Sequence, residues 1–140
     1  MSSARYLENQ VTSADPLALV VLLYEGAIGA ARQAWDCMQE GNIQERSNAI
    51  SKAMQIVAEL QGTLDMENGG EIARSLAELY AFLQERLIAA NAEQKAAPLE
   101  EVLKILGILN EGWKQIAVEP AAQAPVQAEP VEAGSMAWTM

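Results

Sequence analysis

The side chains most capable of chemistry in this 140-residue sequence are an acidic turn and a single thiol. The turn at residues 65–71 combines three carboxylates with an asparagine and two glycines, a composition that calcium-binding loops share. If Asp65 were the first position of such a loop, Gly69 and Leu76 would stand at the fifth and twelfth positions, where oxygen ligands are needed. We therefore expect no calcium site in this turn.

The remaining chemistry is too sparse for a catalytic site. Cys37 has no basic neighbour in the sequence, so we expect it to be a small, partly buried side chain. The sequence contains no histidine, which excludes Ser–His and Cys–His catalytic pairs and the Glu-x-x-His motif of di-iron helical bundles. It contains no glycine-rich phosphate-binding motif either. We predict a protein that is not an enzyme and needs no metal or nucleotide cofactor.

Composition limits the class of protein and its compartment. Apolar residues make up 51% of the sequence but aromatic residues only 5%, and a core of aliphatic side chains favours helices. A net charge of −10 leaves no basic face for nucleic acid. The lone cysteine and the lack of a secretion signal indicate a cytoplasmic protein. The apolar stretch at residues 17–31 is shorter than the ~20 residues of a membrane span, so we expect no membrane insertion.

Apolar residues at three- and four-residue steps predict four helices within residues 13–118. The expected boundaries are residues that cap or break helices. The first helix is expected to start at Ser13 or Asp15 with Pro16 and to end at Gly41, and the second to start at Asn42 and Glu45. Gly69 and Gly70 precede the third helix, and a polar loop at 91–97 precedes Pro98 at the start of the fourth. The predicted core rows include Ile43 and Leu64 for the second helix and Ile72 for the third. We predict an all-α, antiparallel four-helix bundle.

The bundle is predicted to lie between two loose ends. Residues 1–12 show no sustained apolar period, so we expect a mobile N-terminal arm. Residues 119–140 form a C-terminal tail in which prolines 120, 125 and 130 favour a disordered, semi-flexible linker. The tail closes with an apolar end, SMAWTM at 135–140, which is either a frayed terminus or a short adhesive peptide for a partner or for the protein's own groove.

The helices carry more apolar residues than a bundle core needs, because a core-facing stripe takes about three positions in seven. The residues outside the predicted core rows are Leu19, Leu22, Leu23, Ile56, Tyr80, Ile88, Ile105 and Ile108. One explanation is that the arm or a second copy covers them. The other is that they line grooves for amphipathic segments of another protein. The pattern alone leaves both explanations open.

The order of several motifs resembles the FliS family of flagellin export chaperones, from about residue 6 to residue 113. The matching segments are YLENQV at 6–11, LYEGAI at 23–28, GGEIA at 69–73, and a closing Trp113. Their order and spacing carry the resemblance, since no single segment is specific. Glu25 stands where the family more often has Asp, a change that preserves the charge.

The resemblance implies an antiparallel four-helix bundle that binds the disordered C-terminal segment of flagellin. It implies that such a protein prevents premature polymerisation in the cytosol and delivers flagellin to the flagellar type III export gate, a component of which is a second expected partner. We expect a monomer or a weak dimer. Tyr6, Leu7 and Val11 of the arm are expected to form a movable cover over the partner-binding surface. The other expected partner-binding residues lie on the helices: Leu19, Leu22, Leu23, Tyr24, Ile56, Tyr80, Ile105 and Ile108. For Tyr24 a place in the core is favoured.

The alternative is a non-catalytic helical adaptor or a dimeric structural bundle whose extra apolar surface stays buried against a second copy. That hypothesis predicts loss of the fold when Leu22 or Leu23 becomes polar. The chaperone hypothesis predicts that Leu22→Ser or Leu23→Ser keeps helicity and loses partner binding.

Overall fold

A computed structural model of the protein describes residues 16–117, which form four α-helices. These are α1 (Pro16–Glu40), α2 (Ile43–Gly62), α3 (Gly70–Glu93) and α4 (Ala97–Ala117). Each helix packs against the next, and α4 packs against α1, so the four antiparallel helices close a bundle with α1 diagonal to α3. The predicted fold class is confirmed. The N-terminal arm and the C-terminal tail lie outside the described residues.

The connection between α1 and α2 follows the predicted capping chemistry. Gly41 has a φ of +74°, the left-handed conformation that terminates α1 without the steric cost of a side chain. The side-chain Oδ1 of Asn42 then accepts a hydrogen bond from the backbone N–H of Glu45 at 3.2 Å, which satisfies one open donor of the first turn of α2. The predicted boundary is therefore confirmed.

Two predicted boundaries are wrong by two or three residues. Helix α2 ends at Gly62, so Leu64 lies after the helix, although it still packs against the core. Helix α3 continues to Glu93 and absorbs Asn91, which was expected to begin a loop. The Oδ1 atom of Asn91 accepts hydrogen bonds from Nε of the buried Arg46 and from Oγ of Ser47, both at 3.1 Å. This contact between α2 and α3 stabilises the last turn of α3, although the sequence there is polar.

The core contains aliphatic and small side chains from all four helices, centred on a cluster of buried aromatic residues. Two predicted core residues are exposed instead: Ile43 by 57% and Ile72 by 46%. Both lie in the first turn of their helices, at the ends of the bundle, where the neighbouring helices no longer cover them on every side.

Tyr24 of α1 and Tyr80 of α3 meet in the middle of the bundle. Their hydroxyl oxygens are 2.8 Å apart, both residues are fully buried, and the Trp113 ring of α4 lies 6.3 Å from that of Tyr24. Burial raises the pKa of the Tyr24 hydroxyl, and hydrogen bonds with Tyr80 and Trp113 partly oppose that rise. Burial and the neighbouring Tyr24 likewise raise the pKa of Tyr80. Both hydroxyls are therefore held protonated.

We predict that Tyr24→Phe and Tyr80→Phe each lower the free energy of unfolding by about 1–3 kcal/mol, because each leaves a buried hydroxyl without its partner. The double variant should lose less than the sum of the two. The raised pKa values also mean that the unfolded chain releases these protons first. The pair's stabilisation is therefore full below about pH 10, the usual tyrosine pKa, and declines above it. Urea denaturation of the four proteins between pH 8 and pH 11 measures both effects. Additive losses, or an equal alkaline decline in the double variant, would contradict this role.

Candidate partner-binding surface

An apolar groove lies between α3 and α4, near the end of the bundle where α3 begins and α4 ends. We name it the α3–α4 groove; its lining residues are Glu71, Ile72, Ser75, Leu76, Leu79 and Leu109. It has a volume of about 320 Å³, and four of its six lining residues are aliphatic. Leu76 forms its buried floor, whereas Ile72 is a half-exposed wall. Such a groove fits one or two large apolar side chains of a partner.

Charged residues connect the same two helices further along. Nη1 of Arg86 on α3 lies 3.5 Å from Oε1 of Glu101 on α4, and the Arg86 guanidinium lies 6.0 Å from the centre of the Phe82 ring. The ion pair joins α3 to α4 outside the groove lining, whereas the contact with Phe82 lies within α3. An ion pair at this exposure contributes little stability by itself.

Two predicted partner-binding residues, Ile105 and Ile108, lie on α4 close to this groove in sequence. Ile105 is partly buried against the core and lies one helical turn from Leu109 of the groove. Ile108 is 63% exposed. The groove and these two residues together give α4 an apolar outer surface.

A second group of predicted residues lies elsewhere, along the junction of α1 and α2. We call Leu19, Leu22 and Ile56 the α1–α2 seam. All three are partly buried. A Cβ atom added to Gly26 would lie 3.3 Å from Cδ1 of Ile56, so this glycine allows the two helices to approach. Leu22 lies one turn before Gly26, on the same side of α1. Since α1 is diagonal to α3, the seam and the groove lie on different sides of the bundle.

Three predicted partner-binding residues are buried in the core instead. Leu23, Tyr24 and Tyr80 have almost no exposed surface in this structure. Tyr24 and Tyr80 are buried because their hydroxyls satisfy each other, a contact between distant helices that helical spacing does not reveal. Leu23 is adjacent to Tyr24 and belongs to the same buried face of α1. We now expect Leu23→Ser to destabilise the bundle. Tyr6, Leu7 and Val11 lie outside the described residues.

The sequence did not identify Ile72, Leu79 and Leu109 as surface residues, because all three continue the apolar rows of their helices. Phe82, which is about one-third exposed on α3, was missed as well. One feature of the sequence could have identified these residues. The apolar row of α3 begins close to the start of the helix, in a part that the neighbouring helices do not fully cover.

In the acidic turn, the carboxylate of Asp65 binds backbone N–H groups of the turn itself. Oδ1 of Asp65 accepts hydrogen bonds from the N–H groups of Glu67 and Asn68, at 3.2 and 3.0 Å, and these bonds, chiefly those from Asn68, lower its pKa. A Cβ atom on Gly69 would lie 2.6 Å from the carbonyl oxygen of Asp65, so this turn requires glycine there. Within residues 16–117 no cluster of three potential metal ligands occurs.

Helix α1 is long and apolar enough to cross a membrane by length and composition. Eight of its 25 residues are buried in the bundle, and the core helix of a globular protein satisfies the same criteria. The helix is therefore only a weak indication of a span.

The single thiol, Cys37, also lies on α1. Burial raises the pKa of this thiol most, and the carboxylates of Glu40, Glu45 and Asp36 raise it further, so the thiol stays in its unreactive protonated form.

A four-helix bundle with an open apolar groove belongs to a class of folds that can bind amphipathic segments of other polypeptides. Comparison with known proteins narrows that class. The family model described as flagellar protein FliS matches residues 1–120. The chain belongs to the FliS family of flagellar secretion chaperones, which is a non-catalytic class.

Individual relatives cover most of the chain. The flagellar secretion chaperone FliS of Salmonella typhimurium is 38% identical over 118 residues, which are 84% of this chain and 87% of that protein. The FliS of Vibrio cholerae is 34% identical over 81% of this chain and 83% of its own length. The FliSB of Pseudomonas aeruginosa is 36% identical over 79% of this chain and 87% of its own length.

The groove's geometry predicts different costs for its wall and its floor. Ile72→Ala should change the free energy of unfolding by less than about 1 kcal/mol, because its side chain is already half in water. Leu76→Ala should cost about 2–5 kcal/mol, because it opens a cavity in the core. Urea denaturation of both variants measures the difference. Equal losses would show that the bundle packs Ile72 as tightly as it packs Leu76.

Proposed function

We propose that this chain binds the disordered C-terminal segment of flagellin in the cytoplasm, prevents its premature polymerisation and delivers it to the flagellar type III secretion apparatus. Membership of the flagellar secretion chaperone family supports the proposal. The observation that carries it is the α3–α4 groove, where the exposed Ile72 and the half-buried Leu79 and Leu109 of two adjacent helices suit the apolar face of an amphipathic segment.

The energetics suit firm but reversible binding. Burial of four or five large side chains of the segment would contribute roughly 1.5–3 kcal/mol each. Ordering a disordered segment costs about 2–5 kcal/mol or more, and association has its own further cost. The difference allows a complex that persists in the cytosol and still releases its substrate at the export gate.

The separation of the two apolar regions suggests how the segment binds. A partner that contacted only the α3–α4 groove would leave the α1–α2 seam open to water. An extended segment that wraps around the bundle would reach Ile105 and Ile108 on one side and Leu19, Leu22 and Ile56 on the other. We propose that residues 1–12, with Tyr6, Leu7 and Val11, act as a removable cover for part of this surface, and that an export-gate component is a second partner.

Calorimetric titration of the full chain with the isolated C-terminal segment of flagellin from the same cell tests the proposal. We expect a one-to-one isotherm with a negative heat-capacity change, the mark of apolar burial. No heat, together with no shift in melting temperature, would exclude flagellin as the partner. A stable dimer at all concentrations, with no binding, would favour the adaptor hypothesis.

A matched pair of variants locates the binding surface. Ile72→Ser/Ile108→Ser removes two exposed isoleucines at and beside the groove, and we expect at least tenfold weaker binding, which corresponds to about 1.4 kcal/mol. Ile43→Ser/Ile88→Ser removes two isoleucines that are 57% and 55% exposed but do not line the groove, and it should leave affinity nearly unchanged. Equal losses in the two double variants would mean that general surface hydrophobicity, and not the groove, drives binding.

A further inference from the structure

The C-terminal tail ends in an apolar peptide that the proposed function does not use. Its last six residues, SMAWTM at 135–140, contain no charged side chain and include Trp138. The preceding part carries prolines 120, 125 and 130, a composition that favours an extended linker over a helix or strand. The match to the family model stops at residue 120, so the apolar end lies beyond what this chain shares with that model.

We propose that this apolar end binds in the α3–α4 groove of the same molecule, with Trp138 as its anchor. The groove is chemically suited to an indole ring. Its aliphatic lining contacts the ring, its volume of about 320 Å³ accommodates a large side chain, and the Ser75 hydroxyl can accept a hydrogen bond from the indole N–H. The uncharged side chains of the apolar end can also lie beside Glu71 without charge repulsion.

The length of the tail allows this contact. The tail continues from α4, which itself supplies one wall of the groove, and Leu109 lies eight residues before the end of that helix at Ala117. Eight helical residues span about 12 Å. Trp138 comes 21 residues after Ala117. A chain of that length spans roughly 25 Å as a flexible coil and about 65 Å when extended, and either is enough to turn back along α4.

The N-terminal arm is a less suitable occupant of this groove. The arm leads into α1, which is not a wall of the groove, whereas the tail leads out of α4. A covalently attached segment whose linker spans the distance has an effective concentration in the millimolar range. Even a weak contact between Trp138 and the groove would therefore be substantially occupied.

A bound tail would act as an internal competitor. A foreign segment with few apolar residues could not displace it, whereas a long amphipathic segment that contacts both sides of the bundle could. This consequence rests on the proposed function, but the binding of the tail to the groove does not.

Fluorine NMR of the full chain labelled with 5-fluorotryptophan tests the docking directly. Loss of one resonance in Trp138→Phe assigns the signal of Trp138 among the three tryptophans. We expect this resonance to differ in position from that of a labelled peptide of residues 119–140, and to stay in place on dilution. Ile72→Glu should move it to the peptide position. Ile43→Glu, at a similarly exposed isoleucine in the first turn of α2, should not.

Three results would overturn the proposal. A wild-type resonance at the peptide position would mean that the tail is free and that any cover of the groove comes from elsewhere, the arm included. A resonance that returns to the peptide position on dilution would mean that the tail binds a second copy. A resonance unaffected by Ile72→Glu, in a variant whose circular dichroism shows an intact fold, would place the tail outside the groove.

Titration with the flagellin segment then tests the competition. If the tail occupies the groove in nine-tenths of the molecules, Trp138→Ser should tighten the apparent Kd about tenfold. Val126→Ser, in the linker part of the tail, should leave the Kd unchanged. Equal affinity in both variants would show that the bound tail does not compete. Failure of every variant to bind would refute the flagellin proposal and leave the fluorine result standing.

Discussion

The hydrogen bond between Tyr24 and Tyr80 is the interaction on which the rest of the arrangement depends. It joins α1 to α3 across the diagonal of the bundle, at 2.8 Å and away from water. Successive residues of a helix are turned by about 100°, so once Tyr80 points to the centre, Leu79 must lie on the flank. Ile72, two turns earlier, lies on the same flank. The central polar contact thus turns these aliphatic residues toward α4 and into the groove.

The exposed aliphatic surface has a cost that the sequence offsets in other ways. Open apolar patches promote association between copies. A net charge of −10 opposes that association, and the partly exposed ion pairs between Arg86 and Glu101 and between Lys114 and Glu25 place further charges on the surface of the bundle. Under the proposed function, the free energy lost by leaving isoleucines in water would be recovered when a partner, or the tail, covers them.

Helical periodicity and capping residues were sufficient to predict the bundle, since Gly41, Asn42 and Pro98 mark helix ends by local chemistry that needs no knowledge of distant contacts. Contacts between helices were not predictable in the same way. Asn91 belongs to α3 because it binds Arg46, and Tyr80 is buried because it meets Tyr24; both partners are more than 40 residues away in sequence. Asn110 is buried among apolar residues, and its Oδ1 has no hydrogen-bond partner within residues 16–117. No spacing rule identifies such a position.

The same distinction applies to the candidate site. An excess of apolar residues was visible in the sequence, and Ile105 and Ile108 were predicted as candidates because they fall outside the core row of α4. The walls of the groove were missed because Ile72 and Leu79 continue the core row of α3 beyond the region that neighbouring helices cover. Which member of a wide apolar stripe faces water depends on where the neighbouring helices end, and that is a property of the assembled bundle.

Methyl NMR of the isoleucine side chains, recorded while the C-terminal segment of flagellin is added, tests most directly whether the α3–α4 groove is the binding surface. The account predicts large shift changes at the methyl groups of Ile72, Ile105 and Ile108, with little change at Ile43 and Ile88. Changes confined to Ile43 and Ile88, or spread evenly over all exposed isoleucines, would contradict it.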